Sequence, residues 1–193
     1  MTSASSWLAL TVSTHVWFLA NGASMTVLAL LALRTLNVGA VGFGLLLAVF
    51  GLASLAGATL APRLGERFGA GPTVVWTRAS YAVAWTLPAI APGTVTGQVL
   101  VCTALALLGL AAGLENPNEM GLWQSLTSGE LLGRVNATRR SVNRTMAALG
   151  ALVAGASMTL IGERATLGPV VIGFAVAAVI VARAPVRFAR TPG

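Results

Sequence analysis

The side chains able to do chemistry in this sequence are few, and they suit moving protons or holding charge more than breaking bonds. One His, one Cys, five glutamates and twelve arginines are present, with neither Asp nor Lys. His15 falls about eight residues after Trp7, in the first apolar run. An ionisable group in such a run is expected to relay protons or bind substrate, or else to sit neutral and bond a neighbouring helix. Asn21, further along the same run, is expected either to line a pathway or to bond across helices. Glu115 and Glu119 stand four residues apart and share a face if a helix continues through Pro117. Carboxylates withdrawn from water can exchange a proton in a coupled transport cycle, whereas solvated ones would pair with nearby arginines. Asn118, between them, is a candidate for pathway lining and polar gating. Arg78 could partner these acids, but the expectation is that it snorkels to the membrane surface.

This inventory holds no nucleophile triad, no metal cluster and no paired acid and base, so the chain is not expected to be an enzyme or to carry a metal or other cofactor. The glycines do not fall into a phosphate-binding G-x-x-x-x-G-K-[ST] loop, which disfavours ATP-driven work. Cys102 is alone, which excludes a disulfide within the chain.

The elements that must position these residues are membrane spans. With 56% hydrophobic and 9% charged residues and a mean hydropathy of +0.83, the chain has too few polar groups to cover a water-soluble globule. A lipid bilayer is therefore its first partner. A net charge of +7 would suggest nucleic acid in a soluble domain, but no basic face interleaves with stacking aromatics, so no nucleic-acid partner is expected. The apolar runs predict one all-α domain, 1–193, with helices near 7–33, 39–62, 73–91, 94–115 extending toward 124, 128–162 and 167–183. The flank before Trp7 lacks the positive charge of a signal peptide, and the first run is long for one. Trp7, Trp76 and Trp123 are expected as anchors near span ends, with Trp17 and Trp85 deeper.

The stretch from Thr127 to Gly155 joins a basic segment to an apolar helix. Thr127 and Glu130 have capping-box spacing, which predicts a helix start there. Arg134, Arg139, Arg140 and Arg144 lie off the stripe of Leu131, Val135, Val142 and Met146, as in an amphipathic helix at the headgroups. Beyond them, Ala147, Gly150, Ala151, Ala154 and Gly155 would let a second helix come close. Arg63, Arg67, Arg78, Arg134, Arg139, Arg140, Arg144, Arg183, Arg187 and Arg190 fall on one predicted side and only Arg34 and Arg164 on the other. The positive-inside bias then puts both termini in the cytoplasm and makes the number of spans even, hence six.

The runs GFGLLLAVFGLASLAGATLAPRLGERFG and LLGRVNATRRSVNRTMAALGALVAG resemble the C-terminal six-helix half of major facilitator superfamily transporters. The likeness is greatest to the macrolide-efflux and enterobactin-exporter-like branch. Its more specific part is the L-x-G-R-V-N-A core with the following R-x-V-N-R, which marks Arg134, Asn136, Arg140 and Asn143 as loop-motif residues. Arg63 and Arg67 stand in the second-to-third helix loop, which only echoes the superfamily signature: Ala61 replaces its acid and Pro62 an Arg. Relatives of that branch carry Pro where this chain has Ala148. The resemblance implies half of a twelve-helix fold, a six-transmembrane-helix bundle built as a 3+3 inverted repeat, with the first, second, fourth and fifth spans lining the pathway. It also implies a bacterial inner-membrane efflux antiporter for a small-molecule substrate, needing an N-terminal transporter half or self-association to complete the cavity. A remnant or accessory membrane protein that transports nothing is the alternative.

Overall fold

The computed structural model describes residues 2–189, with side chains from Ala4 onward. Arg190 and the extreme C-terminus, counted above in the tail, lie outside the described residues. Six long helices account for nearly all of the chain: α1 (Thr2–Leu30), α2 (Gly39–Phe68), α3 (Ala70–Ile90), α4 (Val95–Leu126), α5 (Leu132–Ile161) and α6 (Glu163–Arg183). In lipid a helix satisfies its own backbone, so each apolar run folds this way. No strand occurs among the described residues. A π-helical turn, Leu31–Thr35, continues α1. Two breaks depend on backbone that only Gly adopts easily: Gly69 (φ 97°) between α2 and α3, and Gly162 (φ 81°) between α5 and α6.

Five of the helices are long and apolar enough to cross a membrane, and α3 is the exception. Most of its polar residues turn inward, Thr86 being exposed and bonded to the Val83 carbonyl of its own helix. Thr73, Thr77, Arg78, Tyr81 and Trp85 are buried, and α3 packs between α4 and α6. The remaining contacts pair α2 with α4 and set α1 against α5 and α6, while α1 and α4 barely touch. The two strongest outer contacts rest on small residues. A Cβ on Gly113 would meet the Ser54 carbonyl of α2, and one on Gly150 would meet the Leu19 carbonyl of α1. Those backbones therefore approach more closely than larger residues would allow.

Hydrogen bonds between turns order the two ends of the bundle. At one end Thr35 donates to Glu163 (2.9 Å), Arg164 to the Ala91 carbonyl (2.6 Å) and Gln98 to the Leu36 carbonyl (2.9 Å). At the other, the Gly71 amide donates to the Ala189 carbonyl (3.0 Å), tying the start of α3 to the short 3₁₀ turn Pro185–Phe188. The expected capping box is not formed. Thr127 closes α4 in extended backbone and its Oγ1 has no partner, while a 3₁₀ turn, Gly129–Leu131, absorbs Glu130 before α5 begins at Leu132. The turn shifts the helix start past the residues that would have capped it.

Candidate functional site

Arg78 is the centre of the most polar place in the bundle. One turn of α3 puts it level with Ser13 and Thr14 of α1 and with Glu115 and Glu119 of α4. Its Nε donates to Glu115 Oε1 (2.8 Å), and one Nη donates to Glu119 Oε1 (3.0 Å) and lies 2.9 Å from the Thr14 hydroxyl oxygen. The other Nη donates to the Ser13 hydroxyl. Ser13 in turn donates a hydrogen bond to the Ala177 carbonyl (2.6 Å), so four helices, α1, α3, α4 and α6, meet through this guanidinium. The side chain is 1% exposed, which corrects the expectation that it snorkels. Snorkelling needs an unobstructed route to water, and here α4 and α6 close it. Burying a cation in this way is tolerable only with paired, hydrogen-bonded carboxylates, and two are present.

The two glutamates are held unequally. Glu119 Oε1 accepts from Thr14 (2.6 Å), Arg78 (3.0 Å) and the Trp123 indole (3.1 Å), and Arg139 stands 3.8 Å away. Glu115 is gripped by Arg78 through one oxygen, and its Oε2 is buried with no partner. The helix does continue through Pro117, so both acids share a face of α4. That face opens on a cavity of about 290 Å³ whose wall includes Trp17, Phe18, Asn21, Tyr81, Glu115 and Glu119. Its lining is partly aromatic, with Trp17 meeting Tyr81 edge-on (5.1 Å), and behind it Tyr81 stacks on the buried Phe174 (5.3 Å), which stacks on Trp85 (6.3 Å). The wall is thus mostly apolar and aromatic, with Asn21 and the glutamates as its polar groups.

The remaining sequence candidates divide between this cavity and other places. His15 faces a second cavity of about 240 Å³ together with Trp7, Trp123, Arg134 and Arg139, so it does not share a wall with Asn21. Asn118 lies against α2, donating to the Ala61 carbonyl (3.3 Å) and to the Leu114 carbonyl (2.8 Å). On α5, Asn136 accepts from Arg139 (3.1 Å), and Asn143 is buried with Oδ1 unpaired. Arg63, Arg67, Arg134 and Arg140 are exposed, and Arg67 lies over the Phe68 ring (5.2 Å). Among the described residues no three His, Cys, Asp or Glu side chains cluster as a metal site would require.

Sequence reasoning missed Ser13 and Thr14, ordinary residues in an apolar run that acquire a role only because α3 brings an arginine to them. Trp123 was expected as a surface anchor, but its nitrogen binds Glu119 and its residue is 3% exposed. No curated protein matches the sequence. The sequence model of the Major Facilitator Superfamily matches residues 10–192, which takes in most of α1 and all of α2 to α6. With an all-helical bundle, five spans apolar enough to cross a membrane and a buried charge cluster beside a cavity, the chain belongs to the Major Facilitator Superfamily of membrane transporters.

Proposed function

We propose that the chain is the C-terminal six-helix half of a proton-coupled exporter of small amphipathic or drug-like molecules, in the macrolide-efflux and enterobactin-exporter-like branch. The observation that carries this reading is the unpartnered, buried Oε2 of Glu115 in the wall of the aromatic cavity. A proton arriving there neutralises Glu115 and loosens its hold on Arg78, while Glu119, Ser13 and Thr14 keep the guanidinium in place. Loss of the proton restores the pair. A substrate resting on Trp17, Phe18 and Tyr81 with a donor group toward Oε2 competes with that proton, and this competition couples export to proton entry.

The opposite wall of the pathway is proposed to come from another six-helix half, or from a second copy of this one. Exposed apolar surface supports this. Only 6% of the apolar stretch of α2 and 11% of that of α5 is buried, against 33% in α1 and 39% in α4. The ends of the bundle differ in charge, with Arg63, Arg67, Arg134, Arg140 and Arg187 at one end and Arg34 and Arg164 at the other, which favours cytoplasmic termini in a bacterial inner membrane. The test is Glu115→Gln in the reconstituted transporter complex under an imposed pH gradient. Efflux should continue downhill but lose its dependence on the gradient; unchanged proton-driven export by the variant overturns the assignment.

A further inference from the structure

The second cavity is of a different character. It lies between the first turns of α1, the end of α4 and the basic start of α5, and it holds about 240 Å³. Trp7, Trp123, Val135 and Val142 make its walls apolar, and its ionisable groups are His15, Arg134 and Arg139, with no Glu among the lining residues. Two nitrogens in these walls are buried without a partner, His15 Nε2 and Arg139 Nε. A buried donor left unpaired costs stability, so such atoms mark a place where an acceptor is missing.

Arg139 is held ready for one. Its guanidinium lies over the Trp123 ring at 4.8 Å, and one Nη donates to Asn136 Oδ1 (3.1 Å). Its nearest carboxylate, Glu119, is 3.8 Å away, beyond hydrogen-bonding distance and already served by three closer donors. The fork is thus oriented by an aromatic face and an amide, with Nε still free. Nearby, His15 Nε2 carries a hydrogen in one neutral tautomer and can donate in the same way. A bare inorganic anion would leave the apolar walls wet, and a neutral apolar molecule would leave both donors unpaired.

We propose that this cavity binds an amphiphile with a compact carboxylate or phosphate head. The head accepts from Arg139 Nε and His15 Nε2, and the apolar body rests against the wall formed by the Trp7 and Trp123 rings, which meet edge-on, and by Val135 and Val142. Arg134, exposed at the same wall, adds long-range attraction. Head groups of this chemistry occur on membrane lipids and on free single-chain amphiphiles, and basic pockets between membrane helices suit both.

The experiment uses the full chain in a neutral maltoside detergent, with dodecyl phosphate as probe and the change in tryptophan fluorescence as readout. Binding should saturate, and Arg139→Gln and His15→Leu should each weaken it about tenfold, as the loss of one charge-assisted or buried bond implies. Arg134→Gln, at an exposed position, should weaken it by a few fold and carries the test if Arg139→Gln does not fold. Equal affinity of all three variants and the wild type, or equal binding of dodecyl phosphate and dodecanol, overturns the proposal. Nanodiscs with brominated lipid then identify the source. Stronger quenching by phosphatidylglycerol than by phosphatidylcholine assigns a membrane lipid, and equal quenching alongside saturable dodecyl phosphate binding assigns a free amphiphile.

Discussion

The two cavities lie on either side of Glu119 and Arg139, and they deal with charge in opposite ways. In the aromatic cavity the cation is fully committed. Every nitrogen of Arg78 has an acceptor, and the one unpaired atom of the charge cluster is an acceptor, Glu115 Oε2, although the Trp17 indole nitrogen in the same wall is unpaired as well. In the basic cavity the unused atoms are nitrogens, and no carboxylate lies within hydrogen-bonding reach of them. The first arrangement is complete as a structure and has one position left for a proton or a donor. The second has its arginine paired only at 3.8 Å, with Glu119, and lacks an acceptor for two nitrogens. Buried charge in a low-dielectric bundle is stable when paired, so the unpaired atoms indicate where function has been favoured over stability.

The sharpest way to break this contrast is Arg78→Ala, which leaves two carboxylates buried against each other. It should cost about 3–5 kcal/mol, enough to abolish a folded, monodisperse protein in detergent, as read by gel filtration and SDS titration. Retention of normal stability would mean that the network is solvated. Next is the inequality of the glutamates. Glu119→Gln disturbs an oxygen with three donors and should destabilise by about 2 kcal/mol, whereas Glu115→Gln should cost about half of that and act mainly on coupling. The order of the two midpoints in the same titration decides the matter.

A smaller effect, informative in its sign, is expected at His15. Replacing an imidazole whose Nε2 has no partner by Leu of similar volume should leave stability unchanged within about 0.5 kcal/mol or raise it slightly, because removal of an unsatisfied group is close to neutral. A loss as large as that of Glu119→Gln would show that His15 has a structural bond and would erase the difference between the cavities. Asn21→Ala should be the mildest for the fold, within about 0.5 kcal/mol, and any change in substrate preference by competition assay would place it in the pathway.

Much of the architecture was legible from composition. Long uncharged runs must become helices in lipid whatever their neighbours, but their ends were less legible: α2 continues through Pro62 to Phe68, over the stretch with Arg63 and Arg67 that was expected as a loop, and the chain breaks at Gly69 and Gly162. The pairing of Glu115 with Glu119 was legible too, because four residues along a helix make one face even with Pro117 between them. The placement of Arg78 was misread. A lone arginine near a span end has two physical solutions, water or a buried acid, and the choice depends on whether other helices obstruct the route outward. His15 and Asn21, expected on one pathway, line different cavities because residues six apart are separated by about a third of a turn around an α-helix.

By itself the sequence determined that the chain crosses lipid as a helical bundle with one strongly basic end, since hydropathy and arginine placement act locally and need no knowledge of packing. Only the tertiary structure decided which charges are satisfied. Ser13, Thr14, Arg78, Glu115 and Glu119 come from three helices far apart in the chain, and their meeting depends on how α3 is enclosed between α4 and α6. Whether a polar atom ends with a partner or without one is a property of that enclosure, because the desolvation that makes it matter exists only once the helices have closed around it.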